Sequence, residues 1–165
     1  MIKTVILVFV LLIHCQLDNT KSNQDVQKSK TISPTGDECI EGDCKEGYGK
    51  MIYADGSSYE GNFKNSKKDG LGKYKYNFSG SIYEGDWKED KQEGLGTIIY
   101  EDGSVYKGRL KDGAYDGYGI MKYSDGMEFR GQFKDHEVTK GHMYKNGIIF
   151  CKNAETKKDF TIGCK

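Results

Sequence analysis

One aromatic-x-glycine motif occurs four times along the chain, at spacings of 24, 23 and 23 residues. The four copies are Tyr59-Glu-Gly61, Tyr83-Glu-Gly85, Tyr106-Lys-Gly108 and Phe129-Arg-Gly131. In the first three copies, two further glycines follow at +11 and +13 from the aromatic residue. A period of about 20–50 residues is the signature of a repeat array, in which each unit contacts only its neighbours. The sequence therefore predicts a repeat protein that acts through a surface rather than through a pocket.

Residue types alternate strictly inside each unit. One parity carries Tyr59, Gly61 and Phe63, and the other carries Glu60, Asn62 and Lys64. Such alternation is typical of a strand with one apolar face and one solvated face. Asp-Gly and Asn-Gly dipeptides between the runs supply the positive φ that tight hairpin turns need. We therefore expect one hairpin per unit and an all-β fold, a single-layer, elongated, twisted antiparallel sheet of stacked hairpins without helices.

The repeated glycines are expected on the same face as the aromatic rings. Glycine costs roughly 0.5–1 kcal/mol in an extended segment, so its regular placement implies a steric reason. We expect each glycine to leave room for a neighbouring ring to lie on the bare backbone, and replacement of Gly96 by Val to displace Trp87 or Tyr100. The structural glycines predicted in this way are Gly61, Gly70, Gly72, Gly85, Gly94, Gly96, Gly108, Gly117 and Gly119.

The recurring string Tyr-x-Gly-x-Phe/Trp-Lys, followed by Gly-x-Gly, an aromatic pair and Asp-Gly, resembles the MORN repeat over about residues 41–147. The resemblance implies a single-layered twisted antiparallel sheet that serves as a scaffold or binding module and is not an enzyme. Two positions depart from the pattern. Leu110 stands where Phe63 and Trp87 stand in the earlier units, and the last unit has only Gly141 in place of the paired glycines. We expect the end of the array to be a cap rather than a binding surface.

The first residues, 1–15, predict export. Their apolar run, Val5–Ile13, is shorter than the roughly 20 residues that a membrane span needs, and a basic start before such a run is typical of a secretory signal. Cys15 stands where a bacterial lipoprotein signal places its lipid-modified residue, with Leu12 three positions earlier, although His14 replaces the usual small residue. We expect a lipid anchor on Cys15 and a membrane-anchored protein of the cell envelope. Plain secretion and an unprocessed anchor are the alternatives.

The rest of the chain divides by composition. Residues 16–37 are polar, lack periodicity and contain the single proline, which predicts a flexible linker. Residues 38–150 are assigned to the repeat sheet and residues 151–165 to a C-terminal cap.

The remaining four cysteines form two local pairs that bracket the repeat array, Cys39 with Cys44 and Cys151 with Cys164. Two local disulfides would suit an oxidising compartment and would staple the open ends of the sheet. Other connectivities and four reduced cysteines remain alternatives.

No pattern in the chain names a catalytic or metal site. His136 and His142 do not fit a zinc spacing with the cysteines, and the sequence has no nucleophile elbow, phosphate loop or His-Glu-x-x-His motif. Asp55, Asp102 and Asp125 precede glycines as turn residues commonly do, so calcium is the weaker interpretation. We predict no catalysis, no metal and no cofactor.

Charge bears on the class of partner. The chain has 25 basic and 25 acidic residues without a large basic cluster, which disfavours nucleic acid and makes lipid headgroups a secondary choice. The aromatic rings remain, and we expect them to form a stripe that a single layer cannot wholly bury. The rings predicted to bind are Tyr59, Phe63, Tyr74, Tyr76, Tyr83, Trp87, Tyr100, Tyr106, Tyr123, Phe129 and Phe133.

The function predicted from these observations is a non-catalytic scaffold or protein-binding module, whose protein partner is unknown. Trp87 and the tyrosine hydroxyls are the favoured contacts. The alternative is a surface protein that binds a glycan or a lipid headgroup with the aromatic face. The rings could instead serve only to hold the sheet together by packing on the glycines.

Overall fold

The computed structural model describes residues 31–32, 36–156 and 162–163. Over these residues the chain forms thirteen antiparallel strands and no helix, and the strands follow sequence order in one open sheet. The all-β, single-sheet prediction is confirmed. The strands are β1 Thr31–Ile32, β2 Glu38–Gly42, β3 Gly47–Ile52, β4 Ser58–Lys64, β5 Lys67–Lys75, β6 Ile82–Lys88, β7 Lys91–Ile99, β8 Val105–Lys111, β9 Ala114–Lys122, β10 Met127–Lys134, β11 Glu137–Lys145, β12 Ile148–Thr156 and β13 Ile162–Gly163.

Two kinds of turn join the strands. The tight turns have two residues, both with positive φ, as in Asn65 (51°) and Ser66 (61°), which is the requirement of a type I′ hairpin. The other tight turns are Glu89-Asp90, Asp112-Gly113, Asp135-His136 and Asn146-Gly147. Asp112-Gly113 and Asn146-Gly147 thus form tight turns, as predicted for such dipeptides. Asp55-Gly56, Asp102-Gly103 and Asp125-Gly126 lie instead in longer turns at the other ends of the strands. There the Gly56 amide donates to the Tyr53 carbonyl at 2.9 Å.

The strand register places one glycine of each strand opposite a glycine of the next. Gly61 pairs with Gly49 on one side and with Gly72 on the other. This glycine row continues across ten strands and ends where Gly141 pairs with Ala154. Its members are Gly42, Gly49, Gly61, Gly72, Gly85, Gly96, Gly108, Gly119, Gly131 and Gly141.

The glycine row is where the first aromatic ring of each repeat lies. A Cβ on Gly72 would stand 2.2 Å from the Tyr59 hydroxyl oxygen and 2.4 Å from its Cε2, so no side chain fits there. The Tyr59 hydroxyl then donates to the Asn62 carbonyl at 2.9 Å, beside the register shift between β4 and β5. The Tyr83 and Tyr106 hydroxyls make the same bond to Asp86 (2.7 Å) and Arg109 (2.8 Å). This hydrogen bond explains why the position is Tyr in three repeats.

Rings of neighbouring repeats contact each other edge to face. The Trp87 ring centroid lies 5.4 Å from that of Tyr59 and 5.2 Å from that of Tyr83. Phe133 is 5.3 Å from Tyr106 and joins the last repeat to its predecessor in the same way. T-shaped geometry is favourable for aromatic pairs. Together with Ile98 and Leu110, the rings form one core on one face of the sheet. We call this the ring face and the other the opposite face.

The first glycine of each Gly-x-Gly pair has a different role from the one we predicted. Gly70, Gly94 and Gly117 have φ of 101°, 76° and 99°, and a Cβ on them would meet the side chains of Asn62, Asp86 and Arg109 rather than a ring. Backbone conformation, and not ring shelter, requires glycine at these three positions.

The structure describes one of the two predicted disulfides in full and only one cysteine of the other. Cys39 and Cys44 form a disulfide with a Cα–Cα distance of 6.0 Å, and Cys44 is buried against Gly49. Cys151 is 2% exposed and disulfide-bonded, and its predicted partner Cys164 lies outside the described residues. The boundary predicted between residues 150 and 151 falls inside β12.

Gly96 tests the packing of ring on backbone. A Cβ at this position would lie 2.3 Å from Tyr83 Cε2, so the ring displaced is Tyr83, and the expectation of Trp87 or Tyr100 was wrong. Even Gly96→Ala should lower the free energy of unfolding by about 1–3 kcal/mol, because overpacking has that cost. Urea denaturation followed by circular dichroism measures it. The adjacent Thr97→Ala serves as the control, and an unchanged midpoint for Gly96→Ala would contradict the packing scheme.

Candidate functional site

The rings that we expected to form an exposed strip are mostly core. Seven of the eleven are no more than 6% exposed: Tyr59, Phe63, Tyr83, Trp87, Tyr106, Phe129 and Phe133. The other four, Tyr74, Tyr76, Tyr100 and Tyr123, are half-buried and pack against that core. The favoured contact, Trp87, uses its indole N–H to donate to the Gly72 carbonyl at 3.2 Å. The expectation of an exposed aromatic strip was therefore wrong, because neighbouring repeats cover each other's rings.

Burial also sets the protonation of the phenols. Desolvation, with smaller contributions from the nearby Tyr100 and Asp116, raises the pKa of Tyr106 to about 12. The pKa values of Tyr59 and Tyr83 are raised as well, chiefly by desolvation. These hydroxyls stay neutral at physiological pH and donate to backbone carbonyls, so they hold the sheet rather than act as bases.

A lysine on the ring face occupies an aromatic cage. The Lys68 ammonium nitrogen lies 5.2–5.9 Å from four ring centroids, and its side chain is only 13% exposed. The four rings are those of Tyr53, Tyr59, Tyr74 and Trp87. Asp90 completes the site with an ion pair at 3.1 Å. Cation–π contacts of this kind recognise ammonium ligands elsewhere, but here the chain's own Lys68 fills the cage, so its role is structural.

The aspartates that precede the turn glycines accept backbone hydrogen bonds. The carboxylates of Asp55, Asp102 and Asp125 accept the amide protons of the residues two positions on, at 2.8, 2.9 and 2.9 Å. Such Asx turns are the ordinary role of Asp in this context. In the described part of the chain, no group of three or more His, Cys, Asp or Glu residues is placed to hold a metal ion.

The opposite face carries a set of exposed apolar side chains that sequence reasoning missed. They occupy the middle of each Gly-x-Gly: Tyr48 (55% exposed), Leu71 (64%), Leu95 (62%) and Tyr118 (54%). We call these four residues the apolar ladder. They lie on every second strand, β3, β5, β7 and β9, and are therefore about 10 Å apart. The alternation of residue types along each strand placed these side chains on the face predicted to be solvated. The recurrence of an apolar residue at this position in four repeats could nevertheless have indicated the ladder.

Polar residues on the intervening strands separate the members of the ladder. Asp86 pairs with Leu71, and its carboxylate accepts the Leu95 amide at 2.8 Å. The Asn62 amide group donates to the Leu71 carbonyl at 3.1 Å. These side chains bond to the backbone of Leu71 and Leu95 themselves, so that polar and apolar positions alternate along this part of the ladder.

A sheet with one face closed as core and the other patterned at a fixed period defines a repeat scaffold. The described residues show no catalytic constellation, and they include no helix with the length and apolar character needed to cross a bilayer. The MORN repeat family model matches residues 45–58, 59–77, 83–105 and 106–128. The chain is therefore a MORN-repeat protein, as its sequence had indicated.

The fold is also similar to solved structures. One is the TCP domain of SAS-4 (dCPAP) from Drosophila melanogaster, solved in complex with a proline-rich motif of Ana2 (dSTIL). It is 12% identical, the match covers 82% of this chain and 87% of that chain, and the TM-score is 0.45. No curated protein sequence gives a significant match.

The buried phenols predict loss of stability in alkali. In the unfolded chain tyrosine has a pKa of about 10, whereas folded Tyr106 has a pKa of about 12. Between these values the unfolded state has released protons that the native state retains, so stability is full below pH ~10 and falls as pH rises towards ~12. Urea denaturation at a series of pH values measures this dependence. The stability of the Tyr106→Phe variant should fall less steeply with pH than that of the wild type. Equal slopes would contradict the raised pKa of Tyr106.

Proposed function

We propose that this protein is a non-catalytic scaffold that binds a protein partner through the apolar ladder. The observation that carries the proposal is that four large apolar side chains stay more than half exposed at one repeated position. The seven buried rings on the ring face show that this fold can bury apolar side chains, whereas the four ladder residues stay exposed. Large exposed apolar side chains bordered by polar residues mark interaction sites in soluble proteins. Leucine and tyrosine on a fixed backbone provide contact area at low entropic cost.

Protein is a better ligand class than glycan for this surface. Glycan recognition by stacking needs exposed aromatic faces, and most of the rings predicted for that role are in the core. Two of the four ladder residues, Leu71 and Leu95, have no ring to stack. An apolar centre bounded by polar residues is the anatomy of a protein–protein interface.

The scaffold function proposed here includes export and a lipid anchor on Cys15. The support comes from the apolar run of residues 1–15, which lie outside the described residues, and from the Cys39–Cys44 disulfide, since disulfides persist in oxidising compartments. An anchored sheet would present its opposite face to partners in the cell envelope.

Intact-mass measurement of the native protein tests the anchor. We expect a mature chain that begins at Cys15 and carries acyl chains. The Cys15→Ser variant should keep its full length and carry no acyl chains. A processed wild-type chain with an unmodified thiol would instead favour plain secretion.

Capture of partners tests the ladder. Leu71→Ser with Leu95→Ser should weaken partner binding more than tenfold, because central apolar anchors at interfaces each contribute about 2 kcal/mol or more. The measurement is affinity for proteins captured from an envelope extract with the full chain. The matched control is Lys64→Ser with Lys88→Ser, two exposed residues on neighbouring strands.

Two further arms make the capture experiment decisive. Protease treatment of the extract should abolish capture if the ligand is a protein, and capture that survives the treatment would favour a glycan. Circular dichroism should show the same strand content for both double variants. Equal binding by the ladder variant and the control would contradict the proposed surface.

A further inference from the structure

The charge pattern of the opposite face changes halfway along the sheet. One cross-strand row runs through Lys50, Glu60, Lys73 and Glu84 on β3 to β6, and its charge alternates in sign. The first two of these residues form an ion pair at 3.5 Å. The same row continues through Thr97, Lys107, Ile120 and Arg130 on β7 to β10. Lys107 and Arg130 stand at the two positions where a carboxylate would continue the alternation. The uncharged Thr97 and Ile120 stand at the two positions where a lysine would continue it.

The contrast holds when this row is taken together with the rows on either side of it. Over three positions per strand, β3 to β6 carry three lysines and three carboxylates, whereas β7 to β10 carry four cations and one carboxylate, Glu128. The net charge is therefore zero on the first half and +3 on the second. We call the second half the basic patch. It comprises Leu95, Thr97, Ile99, Val105, Lys107, Arg109, Tyr118, Ile120, Lys122, Glu128, Arg130 and Gln132.

Two cations of the basic patch are available to a partner. Lys107 and Arg109 are exposed, and within the described ranges no carboxylate lies within 4.0 Å of either. Glu128 is shared between the other two, at 3.6 Å from Lys122 and in contact with Arg130. The excess positive charge therefore lies at the side where β8 meets the apolar ladder.

Apolar side chains lie beside and between the cations of the basic patch. Ile120 pairs with Lys107 on one side and with Arg130 on the other. Leu95, a ladder residue that is 62% exposed, pairs with Arg109. A ligand complementary to this surface would have to present carboxylates and apolar groups side by side on one surface, about 5 Å apart.

We propose that the basic patch binds an acidic polypeptide segment that carries interspersed apolar side chains; this assignment rests on the proposed protein-binding function. A polypeptide offers carboxylates and apolar groups from one backbone. A nucleic acid offers phosphates without aliphatic groups, and a bilayer offers its charge in the headgroup plane with its apolar part deeper. The alternating arrangement of the basic patch fits the polypeptide.

Selection of peptides on the full chain tests the assignment. A random 12-residue peptide library displayed on phage should yield binders enriched in Asp and Glu together with Leu, Phe or Tyr. Lys107→Glu with Arg109→Glu should weaken these binders by on the order of tenfold or more, and added salt should weaken wild-type binding. The matched control is Lys73→Glu with Lys75→Glu, which reverses two charges on the same face outside the patch and should leave binding unchanged.

Three outcomes would overturn the inference. They are binders without an acidic excess, equal loss in both charge-reversed variants, and no enrichment at all. Vesicles of phosphatidylcholine with phosphatidylserine form a parallel arm, and binding to them alone would assign the patch to a membrane.

The same experiment separates this inference from the proposed function. Neutral binders that are lost with Leu71→Ser and Leu95→Ser, but not with the charge reversals, would leave the ladder function standing and remove only the acidic partner. Binders that survive every variant on the opposite face would remove both.

Discussion

Contact between a tyrosine ring and bare backbone is the interaction on which this sheet depends. Where Gly61 pairs with Gly72, the absence of two Cβ atoms lets the Tyr59 ring lie against the strands and reach the Asn62 carbonyl. A single layer normally leaves its apolar face in water, since there is no second layer to cover it. Here the backbone and the rings of adjacent repeats supply that cover, so the ring face becomes a core without helices or a second sheet.

This arrangement divides the work between the two faces. The ring face provides the stability of the sheet. Its residues differ between repeats, and these differences affect internal packing. For example, Lys68 lies in the aromatic cage of one repeat, whereas Gln92 occupies the equivalent position in the next. The opposite face has no such demand, because its side chains contribute little to the core. Its apolar ladder and its change of charge pattern after β6 are therefore the features on which the proposals of partner binding rest.

Much of the fold could be read from the sequence, and the failures have specific causes. Alternation around Gly61 and Gly85 identified the strands, their faces and their pairing into hairpins. The tight turns at Glu89-Asp90 and Asp135-His136 were missed because propensity favours Gly where φ is positive, whereas tertiary hydrogen bonds hold these residues there. The rings were wrongly expected to be exposed because parity shows which residues lie together, not how completely they are covered.

The amino-acid sequence alone determined the repeat, the all-β class and the facing of rings and glycines, because these follow from local spacing and backbone sterics. Only the tertiary structure decided which apolar residues remain exposed. Burial depends on the register that lines ten glycines into one row and on the contact of Trp87 with the tyrosines of two repeats, and both are properties of the assembled sheet. The leucines between the paired glycines could be identified as an exposed surface only because the packing showed that the rings are buried.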